Sequence, residues 1–364
     1  MHIDELPTPV PLLDLDIMER NLERIVSLCR EAGVAYRPHV KTHKTPELAR
    51  AQVLAGATGI TCAKVSEAEV MARAGLRDIF IAYPTAGRRR LERLERLARE
   101  STISVGVDSA QGAKDLNEYF QSRRRQISVL LEVDTGHHRC GVLPGNALEF
   151  VRFLGNLPAL RFRGIYTHEG HVYADGELWE RLDRARCAGE TMAQLAGALR
   201  AAGLPCAVVS VGASPSQHAA CAIPGVTENR PGTNALNDAT QVHLGACGWE
   251  DCALSYLCTV VSRPAAERVI IDGGSKTFTS DHLSGWKEFG FLPEHPELRF
   301  VAASEEHGIL KTTAGNGSNL QVGERIRVIP SHVCGSLNLH DRLYTVRGDR
   351  VVGEWRIAAR GCVE

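Results

Sequence analysis

Between residues 34 and 230, short apolar runs alternate with stretches of helical periodicity, and this alternation constrains the fold more than any other feature. Extended runs are expected at 34–40, 59–63, 78–82, 102–107, 128–133, 162–167, 207–211 and 226–230. Strands joined through helices pair in parallel, because each crossover carries the chain back to the same end of the sheet. Eight such units predict a closed (β/α)8 barrel of TIM type. The competitor is an open doubly wound sheet, but no G-x-G-x-x-G follows the first strand. Local signals agree with the alternation. Asp16 is expected to cap a helix carrying Met18, Leu22, Ile25 and Cys29 on one face, with Gly33 as its stop. Pro46 suits a helical first turn, and Ser66-Glu67-Ala68-Glu69 reads as a capping box.

After about Asn237 the texture changes. Short apolar or alternating runs at 254–261, 268–272, 325–329, 343–346 and 351–357, broken by Gly, Asp and Asn, predict an antiparallel β domain. The expected division is a barrel over 15–237 and a β domain over 238–364, with 1–14 packed on the latter. Composition narrows the function class. A formal net charge of −1 argues against a nucleic-acid binder, and no window approaches the ~18 apolar residues of a membrane helix. The start, MHIDELPTPVPLLDLD, lacks a basic run and an apolar segment. Eleven cysteines without any C-x-x-C pair suit a reducing compartment, so a cytoplasmic protein is expected.

A barrel places its chemistry at the C-terminal ends of its strands. Those ends carry His39, Lys41 and His43; Asp134 to Arg139; Tyr166, His168 and His171; Val211-Gly212-Ala213-Ser214; and Arg230-Pro231-Gly232-Thr233-Asn234. The last two loops follow the strands after which barrels commonly hold a phosphate, and both are rich in glycine and hydroxyls. A phosphate site together with a strand-end lysine suggests pyridoxal phosphate, whose aldehyde needs an amine. Side chains alternate along a strand, so His39, Lys41 and His43 would share a face and Lys44 would look toward helices or solvent. Lys41 is therefore the covalent candidate. A second constellation is Ser331-His332-Val333-Cys334. If it forms a strand, His332 and Cys334 point the same way and suit zinc, although a packed histidine beside a buried cysteine fits that spacing equally well.

The chain resembles the fold-type III pyridoxal-phosphate enzymes of the D-serine dehydratase and D-threonine aldolase family, which have an alanine racemase-like barrel. The resemblance rests on RPHVKTHK at 37–44, Asp134-Thr135-Gly136, Arg139-Cys140-Gly141-Val142 and Val209-Ser210-Val211-Gly212. It continues through Arg230-Pro231-Gly232, Ile271-Asp272-Gly273-Gly274, Glu305-Glu306-His307-Gly308 and IPSHVCGSLNLHD at 329–341. It implies that Lys41 is the Schiff-base lysine with His39 beside it, that Arg139 binds the cofactor's phenolic oxygen, and that Tyr166 lies by the pyridine ring. Ser210, Gly212, Ser214, Gly232 and Thr233 would lie on the cofactor's phosphate side, and His332 and Cys334 would hold a divalent metal: zinc, with manganese or cobalt as alternatives. It further implies a homodimer acting on a small D-amino acid. Two departures are Asn234, where relatives often carry an aromatic residue, and Gly335, where proline is common.

The same parts serve two reactions in that family. A dehydratase eliminates the β-hydroxyl to give a keto acid and ammonia; an aldolase breaks the Cα–Cβ bond to give glycine and an aldehyde. The His-x-Cys pair looks like the dehydratase branch, since the aldolases tend to His-x-Asp. The rival readings are a racemase using Tyr256, a non-enzymatic cofactor carrier, and a barrel hydrolase with metal on His39 and His43.

Overall fold

The computed structural model describes residues 1–283, 285–312 and 317–364. The first strand, β1 (Val10–Asp14), runs directly into the helix Leu15–Glu31. Asp14 caps that helix, accepting the Ile17 amide at 3.0 Å. The expected cap, Asp16, lies inside the first turn and pairs with Arg347 instead.

Eight strands then form one all-parallel sheet. They are β2 (Ala35–Tyr36), β3 (Ile60–Cys62), β4 (Asp78–Pro84), β5 (Thr102–Val107), β6 (Ile127–Glu132), β7 (Leu160–Tyr166), β8 (Val208–Val211) and β9 (Glu228–Asn229). Their order is β2-β9-β8-β7-β6-β5-β4-β3. A parallel bridge from His39 to Thr61, with the Thr61 amide 2.8 Å from the Pro38 carbonyl, joins the two ends of that order. The expected barrel is the observed one. Phe80, Leu130 and Tyr166 form one apolar cluster, while Leu131, Ile165, Val209 and Val211 pack against helix residues such as Val151, Met192 and Leu199. The box expected at Ser66 is absent. The helix Val65–Arg73 begins after Lys64, and the Ser66 hydroxyl bonds the Glu364 carbonyl at 2.8 Å.

The remaining strands are β10 (Leu254–Ala265), β11 (Arg268–Ile271), β12 (Gly290–Phe291), β13 (Leu298–Ala303), β14 (Gly308–Thr312), β15 (Arg325–Pro330), β16 (Arg342–Arg347) and β17 (Arg350–Arg356). They build a second sheet, ordered β13-β14-β11-β10-β1-β16-β17, with β15 paired to β10 and β12. Pairing is antiparallel except for β1 on β16. Residues 24–41, 46–232 and 361–364 make one compact unit, called the barrel unit below. Residues 1–23, 42–45 and 233–360 make the other, the sheet unit. Among the described residues, no helix is long and apolar enough to cross a membrane.

Candidate active site

The run 34–40 is not one strand. Only Ala35–Tyr36 are paired as a strand; Pro38 has no N–H to offer the ladder, and the chain tightens into a 3-10 turn over Val40–Thr42. Lys41 therefore sits on a turn, and the argument from alternating strand faces does not hold. Its amide lies 3.4 Å from His39 Nδ1. His43 is fully buried, and its Nδ1 accepts the Thr45 amide at 3.1 Å. Lys44, expected to face helices or solvent, is 8% exposed and so does not face solvent; its backbone is left-handed at φ 51° and its carbonyl is bonded to the Ala359 amide.

In the barrel unit the structure brings His39 close to Lys41, Arg139, His168 and Arg230. Burial and the positive field of those neighbours hold the His39 pKa well below 6.5. Burial, Lys41 and Arg139 do the same to His168. Both rings are neutral at pH 7, so the local cations are lysine and arginine. Tyr166 is buried, donating to Glu132 Oε2 at 2.7 Å and standing edge-on to Phe80 with centroids 4.9 Å apart. Gly106 makes room for it: a Cβ there would meet the phenolic oxygen at 2.1 Å. Asp108, Glu132 and Cys140 place a donor atom each within 4.8 Å of one another. Arg139 lies near enough to lower the Glu132 pKa, which burial raises on balance.

Ser210 lies below the rim rather than in the loop. Its hydroxyl donates to Glu228 at 2.6 Å and accepts from Arg230 Nε at 2.6 Å, and Arg37 completes the chain on Glu228 at 2.6 Å. Gly212 has φ 149°, and a Cβ there would meet the Arg230 amide at 2.5 Å. Its N–H is taken up within the protein. Both oxygens of Glu169 accept it at 3.0 Å, and the Ser216 hydroxyl donates to the same carboxylate at 2.9 Å. Ser214 opens the 3-10 turn Ser214–Ser216 that follows. Gly232 closes the barrel unit's long segment, and Thr233, in the sheet unit, accepts the amides of Leu236 and Asn237 at 2.9 and 2.7 Å. Sequence reading missed Glu169 and gave Arg230 no role. Glu169 is fully buried, which raises its pKa against the bonds from Gly212 and Ser216. Arg230 is 3% exposed, bonds the Thr167 carbonyl, and stands 5.3 Å from the Tyr166 ring centroid.

In the sheet unit, His332 and Cys334 are not on a strand. β15 ends at Pro330, His332 caps the helix Val333–Leu337, and Cys334 lies within that helix. The two side chains nevertheless meet. Burial would lower the His332 pKa, but the Cys334 sulfur and the Asp281 carboxylate outweigh it and lift it to about 11. Asp281 Oδ2 lies 2.5 Å from His332 Nδ1, and Cys334 Sγ donates to Thr42 Oγ1 at 3.3 Å. Asp238, fully buried, accepts the Val333 amide with one oxygen and the Gln241 amide with the other, both at 2.9 Å, and so caps two helices. Tyr256, the racemase candidate, is buried between the rings of Phe278 and His340, at centroid distances of 5.0 and 5.1 Å.

Both donor sets fit the groups the sequence implied. An imidazole and a thiol in contact are ligands of the type zinc takes. An amine at a barrel mouth, among cations and neutral imidazoles, suits an anionic aldehyde cofactor.

The fold and these residues define a barrel of the alanine racemase N-terminal type joined to a β domain. Residues 13–236 match the alanine racemase N-terminal domain family, and 253–346 the serine dehydratase domain family. A D-threonine aldolase from an Arthrobacter species is 36% identical over 97% of this chain and 93% of its own. A D-threo-3-hydroxyaspartate dehydratase from a Delftia species is 34% identical over 96% and 97%. The crystal structure of D-threonine aldolase from Filomicrobium marinum superposes with a TM-score of 0.93 at 33% identity, covering 99% of this chain and 98% of that one. Solved forms of D-threo-3-hydroxyaspartate dehydratase include alanine replacements of a histidine and of a cysteine two positions apart, the latter metal-free. The chain belongs to the D-serine dehydratase and D-threonine aldolase family of pyridoxal-phosphate-dependent lyases.

Proposed function

We propose that this protein is a pyridoxal-phosphate- and divalent-metal-dependent lyase of 3-hydroxy-D-amino acids that eliminates the β-hydroxyl to give a keto acid and ammonia. The observation that carries this reading is the contact between His332 and Cys334. The same two residue types, two positions apart, were replaced in a D-threo-3-hydroxyaspartate dehydratase, whose cysteine variant was solved metal-free. Bound pyridoxal phosphate supplies an electron sink for charge at the substrate's α carbon, and a divalent metal supplies a Lewis acid for its β-hydroxyl. In this chain Lys41 would carry the cofactor and then, as a free amine, take the α proton on Nζ. His39 and His168, neutral at pH 7, would offer hydrogen bonds there without adding to the positive charge of Arg139 and Arg230. Arg139 would bind the phenolic oxygen, Tyr166 would flank the ring, and Ser210, Gly212, Ser214, Gly232 and Thr233 would line the phosphate side. His332 and Cys334 would hold the metal, zinc ahead of manganese or cobalt on ligand softness.

A second reading, retro-aldol cleavage to glycine and an aldehyde, is favoured by the 36% identity to the Arthrobacter D-threonine aldolase. The deciding experiment supplies zinc or manganese and offers D-serine, D-threonine and 3-hydroxy-D-aspartate, scoring keto acid and ammonia against glycine and aldehyde. Keto acid is expected; glycine and aldehyde with no keto acid from any substrate would overturn elimination. Lys41→Ala is expected to abolish both turnover and the visible absorption of bound cofactor. A cytoplasmic homodimer completes the proposal, and it accords with eleven cysteines of which none forms a disulfide among the described residues.

A further inference from the structure

We infer that Asp281 is a positioning residue for metal binding: its carboxylate holds Nδ1–H of His332 and leaves Nε2 as the nitrogen that ligates the cation with the Cys334 sulfur. The inference rests on the proposed function and deepens it, since sequence and comparison alike leave open which ring nitrogen binds and what orients the ring.

An imidazole can bond on one nitrogen and ligate on the other, so fixing the first decides the second. Asp281 Oδ2 stands 2.5 Å from His332 Nδ1, a charge-assisted distance. An ionised carboxylate only accepts, so Nδ1 keeps its hydrogen and Nε2 is the nitrogen whose proton a cation would displace. The backbone of His332 is pinned separately, because the next amide, Val333, is held by Asp238 at 2.9 Å. One aspartate therefore fixes the turn and the other fixes the ring.

Asp281 is itself placed by an unusual contact. The short helix Ser275–Phe278 ends at Thr279, which adopts φ 67°, a costly conformation for a β-branched residue. The cost is tolerated because Thr279 seats on Gly335, where a Cβ would meet its Cγ2 at 3.0 Å and its Oγ1 at 3.2 Å. Gly335 thus opens a seat for the loop that delivers Asp281 two residues later. Carboxylate partners of metal-bound histidines raise ligand basicity and fix ring orientation, and their loss typically weakens metal affinity by roughly 10–100-fold.

The test uses the full-length, cofactor-loaded protein and measures zinc affinity by competition with a chelator of known strength. Asp281→Ala is expected to weaken zinc binding roughly 10–100-fold, with Asp281→Asn, which keeps an acceptor oxygen, falling between it and the unaltered chain. Gly335→Ala, which crowds Thr279, is expected to weaken binding in the same direction. The visible absorption of bound cofactor and the thermal midpoint of the metal-free protein should not move, although a merely structural role would shift the latter. Zinc affinity within two-fold of the unaltered chain in Asp281→Ala, or a loss matched by a fall in the metal-free midpoint, overturns the inference alone. Absence of zinc binding by the unaltered chain overturns it together with the metal-dependent reading beneath it.

Discussion

Glu169 shows how much of a site can rest on one side chain that touches no obvious reactant. It is fully buried, and it takes up the Gly212 amide and the Ser216 hydroxyl across 43 and 47 residues of sequence. In the primary structure it stands within Tyr166-Thr167-His168-Glu169-Gly170-His171, which reads as a polar loop. Nothing local marks it as buried, because its partners are supplied by the end of β8. Glu169→Ala would leave the buried Gly212 amide unpaired, at about 1–3 kcal/mol, and turn the Ser216 hydroxyl to the Ala213 carbonyl 3.0 Å away. The expected outcome is an unfolding free energy lowered by about 1–3 kcal/mol in chemical denaturation and weaker cofactor binding, while pyridoxal lacking the phosphate is affected less. Equal loss for both ligands would separate the 212–216 turn from the phosphate. Lys41 could be proposed from the sequence because its motif is compact; Arg230 was named only as part of a strand end, since burial of a cation cannot be read from composition.

At the scale of elements, the parallel strands were legible and their ends were not. Helices between apolar runs reveal a barrel, but β2 stops at Tyr36 and Lys41 rides on a 3-10 turn that alternation cannot foresee. His332 and Cys334 meet at a helix start, so the expected partnership arises by another geometry. Strand β5 carries a further cost. Gly106→Ala would drive a methyl group into the Tyr166 hydroxyl, 2.1 Å away, and is expected to destabilise the barrel unit by about 2–4 kcal/mol. Unfolding followed by tyrosine fluorescence would show it, and an unchanged midpoint would mean that β5 and β7 yield more readily than their packing indicates. The ends of β7 and β2 also predict a pH response. For His168, a folded-state pKa well below 6.5 means that the unfolded chain binds the proton first. Its contribution to stability is complete above 6.5 and is lost as pH falls below it, with a limiting slope of about 1.4 kcal/mol per pH unit. Buried Glu169 and Glu132, whose pKa values are raised, act in the opposite sense above 4.5. The clean measurement is therefore a difference: His168→Asn should lose less stability than the unaltered chain between pH 6.5 and 5, and parallel pH profiles would refute the assignment.

For the whole molecule, the texture of the chain changes near residue 237 and residues 1–14 were expected on the β domain, but nothing local showed how deeply they enter its sheet. β1 is an interior strand of the second sheet, hydrogen-bonded to β10 on one side and β16 on the other. Its contribution is visible only once partners from the far end of the chain are known. Removing residues 1–14 should therefore split the sheet unit, exposing amides of β10 and β16 to rapid hydrogen exchange. The strand's position also sets a timetable. During synthesis β1 waits for roughly 240 further residues before its neighbour β10 is made, about 12–48 s at ordinary elongation rates of ~5–20 residues per second. During that interval the nascent chain trails an unpaired apolar edge, Val10-Pro11-Leu12-Leu13, that a holding chaperone can occupy.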